Sequence, residues 1–190
     1  MTVTVQTNAD RTIALLGRWT VDPCRSAISF TAKLLSGASV TGSFREFEGS
    51  LEVDRDGDVR AHGTIIVGSL DTSVLERDRQ LLSRDFFDVD RYPDIQYRLL
   101  AFRPTGHTGY RTLGELGIRG VTREVVLDGS IQGPVRGSWG EERLTLDLGG
   151  RLVVRDHGLG QNELVDGSPV AAETVRLAVD LSLVRRGAWA

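Results

Sequence analysis

ERLTLDLGGRLVV, residues Glu142 to Val154, decides the fold class. Leu144, Leu146, Leu148 and Leu152 alternate with Thr145, Asp147 and Arg151, and a period of two belongs to a strand with one apolar and one wet face. Downstream, TVRLAVDLSLV sets Val175, Leu177, Val179, Leu181 and Leu183 against Thr174, Arg176, Asp180 and Ser182. Upstream, VTREVVLDGSIQG (Val121, Val125, Leu127, Ile131) and DIQYRLLAF (Ile95, Tyr97, Leu99) keep the same period. Strand patterns of this kind run back to Gly17.

Near the start of the patterned region, GRWTVD reads as a strand ended by Pro23, and Ile28, Phe30, Ala32 and Leu34 alternate in the next. The following segment changes phase, from Val40, Gly42 and Phe44 to Phe47, Leu51 and Val53, which predicts a bulge near Arg45 or Glu46. Asp56, Gly57 and Asp58 predict a hairpin turn. Gly42, Gly49, Gly63 and Gly68 lie inside strand patterns and signal tight bends or close approach to something large. Turns are expected at Pro104 to Gly109, at Gly120 and over Gly133 to Gly140, and a polar loop at Asp156 to Pro169. Eight or nine antiparallel strands, each apolar on one face, favour closure, because closure removes exposed edges. An eight-stranded barrel encloses packed side chains or one small ligand.

One stretch departs from the period of two. In SLDTSVLERDRQLLSRDFFDVDRYP, Ser69 to Pro93, Ser73 and Glu76 stand where a capping box begins a helix. Val74, Leu75, Leu81 and Leu82 predict one apolar side, with Arg77, Asp78, Arg79 and Gln80 opposite. Phe86 and Phe87 follow, and Pro93 ends any helix. The expectation is a helical plug over about residues 70–87, near the mouth of the barrel.

Composition narrows the function. A chain of 190 residues with 40% apolar content can bury one core without staples, so residues 13–190 read as a single domain. Residues 1–12 read as a loose arm. A net charge of -3, with basic residues scattered rather than striped, argues against nucleic acid. Cys24 is the single cysteine, which excludes an internal disulfide. The opening residues lack a basic n-region and a long apolar run, and no segment approaches the roughly 20 apolar residues of a transmembrane helix. A soluble, cytoplasmic protein is the expectation.

Chemistry-bearing patterns are sparse. His62, His107 and His157 lack ligand spacing, and His62 falls on the solvent phase of its strand. LGELGIRG is not placed between strand and helix as a phosphate loop requires, and no nucleophile elbow is present. Asp71 and Asp78 are carboxylates whose simpler reading is capping and pairing with Arg77 or Arg79. No bound cofactor is required.

Several motifs occur together in order: WTVDPCRSAISF (19–30), VTGSFREFEG (40–49), SLDT with RDRQLLSRDFFD (69–88), YPDIQY (92–97) and GIRGVTREV (117–125). Together they resemble the YceI-like polyisoprenoid-binding family, over roughly residues 17–184. The resemblance implies an all-β, antiparallel, eight-stranded lipocalin-like barrel with a helix near its mouth, binding a long isoprenoid or similar amphiphile. Trp19, Asp22, Ser26, Gly42, Phe44, Asp71, Asp78, Phe86, Phe87 and Gly120 match the motifs. Gln80 stands where many members have His, Gly117 replaces a usual Thr, and His157 with Gly158 replaces an aromatic residue before glycine.

The expected partner is therefore a polyisoprenoid, quinone or fatty amphiphile, carried or sequestered inside the barrel. Tail contacts are expected from Phe30, Phe44, Leu75, Leu82, Phe86, Ile95, Tyr97 and Leu99. Head-group contacts are expected from Arg77, Arg79 and Arg84, since guanidinium matches phosphate. Two rival readings are an enzyme acting on a lipid head group through Asp71, Asp78 or His157, and a structural barrel with a filled core. Edge pairing into a homodimer is compatible with the fold.

Overall fold

The structure, a computed structural model, describes residues 15–33, 37–106, 108–137, 140–159, 164–165, 168–169 and 174–185. The expected N-terminal arm and His107 lie outside them. The first four strands are β1 (Gly17–Val21), β2 (Ala27–Lys33), β3 (Ser39–Phe44) and β4 (Phe47–Val53). β1 and β2 are halves of one wall strand, and β3 and β4 halves of the next: Gly17 pairs with Val53 and Thr20 with Ser50, then Ile28 with Phe44 and Lys33 with Ser39.

Proline explains the first interruption. Pro23 has no N–H to give the ladder, so the chain makes a 3₁₀ turn over Pro23–Arg25. Ser26 rejoins the two halves: its hydroxyl donates to the Asp22 carbonyl at 2.8 Å and accepts the Ser182 N–H at 2.9 Å. The second interruption falls at Arg45 and Glu46, where the change of phase placed it. Val40, Gly42 and Phe44 are buried before the break, Phe47, Leu51 and Val53 after it.

The wall continues through β5 (Val59–Ile66), β7 (Asp94–Pro104), β8 (Gly109–Ile118), β9 (Val121–Arg136), β10 (Glu142–Val153) and β13 (Thr174–Arg185). A two-residue strand, β6 (Leu70–Asp71), pairs with β3, and β11 (Leu164–Val165) pairs with β12 (Ser168–Pro169) within the polar crossover. β13 closes the wall by pairing with β1 at Thr20–Val184 and with β2 at Phe30–Leu177. Among the described residues this is an eight-stranded, antiparallel, closed barrel in which neighbours along the chain are neighbours in the sheet.

Register places charges opposite one another outside. Arg98 faces Glu115 at 2.6 Å, and Arg111 meets Asp128 through two bonds of 2.6 and 3.0 Å. These exposed pairs fix register more than they stabilise. A bulge between Leu99 and Ala101 resets the inward phase of β7, so Phe102 rather than Ala101 is buried. β9 runs to Arg136, further than the turn signals at Gly133 to Gly140 indicated. The missing N–H of Pro134 is absorbed at an irregularity opposite Arg143 to Thr145, leaving a turn closed by Gly137 N–H to the Glu141 carbonyl at 2.7 Å.

The helix is shorter than expected. α1 spans Leu75–Leu82, and Val74, not Ser73, is its N-cap, with no side-chain cap. Ser73 has φ 62°, and its N–H donates to the Asp71 carboxylate at 2.8 Å. The reach-back comes instead from Asp78, whose Oδ1 accepts the N–H of Thr72 at 2.9 Å and its hydroxyl at 2.6 Å. The apolar side also differs. Leu81 is buried but Leu75 is 67% exposed, because the face of the helix turned to the barrel does not include Leu75.

One end of the barrel is solid. Leu15, Trp19, Val53, Val59, Tyr110 and Leu144 are buried there outside the lining of the interior cavity, and Phe102 stacks on Tyr110 with ring centroids 4.5 Å apart. Arg185 lies over the Trp19 ring at 4.6 Å. The other end carries α1, the Arg119–Gly120 turn and the crossover after β10.

Candidate functional site

Inside the barrel is a cavity of about 250 Å³, lined almost entirely by apolar side chains. Its walls are the inward residues of the alternating strands, among them Ile28, Leu51, Leu116, Leu127, Leu148 and Val179. The leucines that decided the fold class, Leu146, Leu148 and Leu152, form one side of it. A barrel packed at one end and hollow through the middle has room for an apolar guest.

Aromatic rings and the α1 segment roof the open end. Phe30, Phe44, Phe87 and Phe86 make a chain of contacts at centroid distances of 5.9, 6.4 and 5.1 Å, the last two edge to face. Such pairs hold fixed geometry beyond simple burial. The Phe87 N–H bonds the Leu81 carbonyl at 3.0 Å, tying this cluster to the helix end. Val154 and Leu159, from the crossover, complete the lining here.

Polar groups at the cavity are few. Arg77 lines it one helical turn before Leu81, so the face of α1 turned to the cavity carries Arg77, which the sequence reading put on the outer side. Its Nε donates to the Thr72 hydroxyl at 3.0 Å, joining Asp78, Thr72 and Arg77 in one network. Deeper in, burial pushes the Tyr97 phenol above its ordinary value, opposed by its hydrogen bond with Thr112. The Thr112 hydroxyl in turn donates to the Leu127 carbonyl at 3.2 Å. Tyr97 is therefore neutral at physiological pH.

The expected tail contacts divide. Phe30, Phe44, Phe86, Ile95, Tyr97 and Leu99 line the cavity, whereas Leu75 stands in solvent and Leu82 packs half-buried against the core without reaching the lumen. The expected head-group contacts divide too. Arg77 is at the cavity. Arg79 is exposed and pairs with Glu76 at 3.6 Å, and Arg84 is exposed outside the lining. Gly117 faces outward and Gln80 lies off the lining.

Asp71, Asp78 and His157 do not come together at the cavity. None lines the cavity. The Asp71 carboxylate sits below its usual range because it accepts the Ser73 N–H and pairs with Arg45. Asp78 serves Thr72. His157 is buried in the 3₁₀ turn Val154–His157, its Nδ1 bonded to the Val121 carbonyl at 3.1 Å and its Nε2 without a partner among the described residues. Among those residues no three His, Cys, Asp or Glu side chains form a metal-binding group, and no helix is long and apolar enough to cross a membrane.

The model of the YceI-like domain matches residues 19–183, nearly the whole barrel. The chain belongs to the YceI-like family. A UPF0312 protein of Photorhabdus laumondii is 30% identical over 131 residues, 68% of each chain. Among solved structures, Burkholderia cenocepacia BcnA superposes with a TM-score of 0.72 at 24% identity, over 87% of this chain and 99% of its own. A polyisoprenoid-binding domain from Saccharophagus degradans, implicated in plant cell wall breakdown, gives 0.63 at 14% identity, over 88% and 98%. At these identities the structural likenesses establish the shared barrel fold. Family membership accounts for why motifs that are individually ordinary, such as WTVDPCRSAISF and YPDIQY, sit at the wall break and the strand after the plug.

Proposed function

We propose that this YceI-like barrel binds the hydrocarbon tail of an isoprenoid or similar long-chain amphiphile and acts as a carrier or sequestering protein. The carrying observation is the lumen itself: about 250 Å³ of unfilled apolar space, near the lower edge of the roughly 300–1,000 Å³ of small-molecule pockets. A filled structural core would lack that space. Each buried methylene contributes about 0.8 kcal/mol, so a short length of tail offsets much of the cost of ordering it. The Saccharophagus degradans domain, described as polyisoprenoid binding, supports the same ligand class.

Orientation follows from where the polar groups lie. Buried side chains close the opposite end among the described residues, so the tail points toward Trp19 and the head stays at the α1 end, where Arg77 presents a guanidinium suited to a phosphate or carboxylate. With none of Asp71, Asp78 and His157 lining the lumen, binding rather than turnover is the reading the geometry favours.

Native mass spectrometry and solvent extraction of freshly purified protein test this. A long-chain amphiphile is expected in the wild type and lost from Phe30→Asp, which puts a charge into the lining. Wild-type protein that purifies empty and takes up no added lipid would overturn the proposal.

A further inference from the structure

The inward glycines of the wall are of two kinds. At Gly42, Gly114 and Gly150 a neighbouring side chain lies across the gap: a Cβ would come within 2.4 Å of Phe30 Cζ, 2.3 Å of Tyr97 Cε2 and 2.5 Å of Leu127 Cδ2. Those glycines exist so that a larger residue can lie flat on the sheet. Gly49 and Gly63 differ.

They stand directly opposite each other on β4 and β5, between the rungs Phe47–Ile65 and Leu51–Ala61. A Cβ on Gly63 would meet, among the described residues, only the Glu48 carbonyl oxygen at 3.4 Å. A Cβ on Gly49 would meet the His62 carbonyl oxygen at 3.0 Å, Val21 Cγ2 at 3.3 Å and Gly63 Cα at 3.4 Å. Among the described residues only Val21, beside Gly49 on β1, brings a side chain to the Cβ position of either glycine, none reaches that of Gly63, and both glycines line the cavity. Tyr97, next in register to Gly63, would be the natural cover, but its ring leans the other way, onto Gly114. The Gly49–Gly63 rung therefore carries no side chain of its own and is open at Gly63. It leaves a recess one side chain deep, floored by backbone, with apolar side chains above and below.

A straight alkyl chain running along the lumen has nothing to place there, whereas a methyl branch does. A core cavity left without partner atoms forfeits dispersion contacts, so a ligand that fills it is favoured over one that does not. We propose that the Gly49–Gly63 rung is a specificity subsite that receives a methyl branch of the tail and so selects branched, isoprenoid chains over linear ones. This rests on the lipid-binding reading and names what that lumen discriminates.

Phytol and hexadecanol share an alcohol head and the same main-chain length, and differ chiefly in methyl branches. Both are titrated into wild type, Gly63→Ala and Gly63→Val by displacement of a fluorescent lipid probe, with thermal melts verifying the fold of each variant. Gly63 has extended backbone and open space beside it, so these substitutions add atoms to the recess without straining the sheet. Wild type is expected to prefer phytol. Gly63→Val is expected to weaken phytol by about tenfold or more while moving hexadecanol by no more than about twofold, the scale on which apolar pockets discriminate a methylene. Gly63→Ala falls between.

Equal wild-type affinity for the two alcohols, equal loss of both in Gly63→Val, or no change in either would overturn the recess and leave the lipid reading standing. A wild type that takes up neither alcohol would overturn both.

Discussion

Arg119 donates from Nη2 to the Arg84 carbonyl at 2.7 Å, joining the β8–β9 turn to the segment that follows α1. Its Nη1 reaches the Gly158 carbonyl at 3.3 Å, so one guanidinium ties together all three pieces of the open end. The same residue has φ 50° and precedes Gly120 at 75°, the pair of left-handed residues a tight two-residue hairpin needs. Arginine is a poor choice for that backbone, at a cost of about 1–2 kcal/mol, and its position is explained by what its side chain holds. Arg119→Asn suits the turn better and abolishes both bonds. Amide hydrogen exchange is expected to accelerate at Phe86, Phe87 and Leu159, with little change in the melting temperature. Unchanged exchange would show that the roof is held by packing alone.

Asp78 and Thr72 provide a second test, because the sequence pointed to Ser73 as the cap. Thr72 is buried, and both its N–H and its hydroxyl donate to Asp78. Asp78→Ala strands these donors and is expected to cost about 1–3 kcal/mol in a denaturant melt. Ser73→Ala, which removes an exposed hydroxyl that caps nothing, is expected to stay within about 0.5 kcal/mol. The reverse ranking would restore the capping-box reading.

His157 makes stability depend on pH. Burial holds its imidazole below the ordinary value, with Arg123 acting in the same direction; the Val121 carbonyl and Asp156 oppose. The unfolded chain therefore takes up a proton near pH 6.5 that the folded chain accepts only at lower pH. This contribution is complete above about pH 6.5 and is lost as the pH falls from there through the depressed folded value. His157→Gln is expected to flatten that part of the stability-pH curve. Parallel curves for the two proteins would exclude the effect.

At the solid end, Trp19 has no exposed surface, and its indole N–H donates to the Leu15 carbonyl at 2.8 Å. Trp19→Ala is expected to destabilise by about 3–5 kcal/mol, as large-to-small changes in cores do. If the hollow is where ligand sits, Trp19→Phe, which retains an aromatic plug, should keep lipid uptake with only the stability lowered. A calorimetric melt alongside a binding titration separates the two effects.

Much of this arrangement was legible in one dimension. Period-two leucines such as Leu144, Leu146 and Leu148 name the inner face because side-chain direction alternates strictly along a strand, and the phase change at Arg45 and Glu46 locates a real break. Five of the eight expected tail contacts line the lumen for the same reason, and Phe86, in the turn after α1, is a sixth. α1 was harder. In a two-turn helix, which residues face inward is set by how the helix docks, so Leu75 and Leu82 were misplaced and Arg77 was found on the inner side.

Alternation thus determined the all-β class and the identity of the wall's inner face, since those follow from local backbone geometry. Only the tertiary structure decided where that inner face is filled and where it is empty. Gly42 and Gly63 look alike in the chain, but a ring from a neighbouring strand covers the first and nothing described covers the second. Emptiness is a relation between residues distant in sequence, and no single strand encodes it.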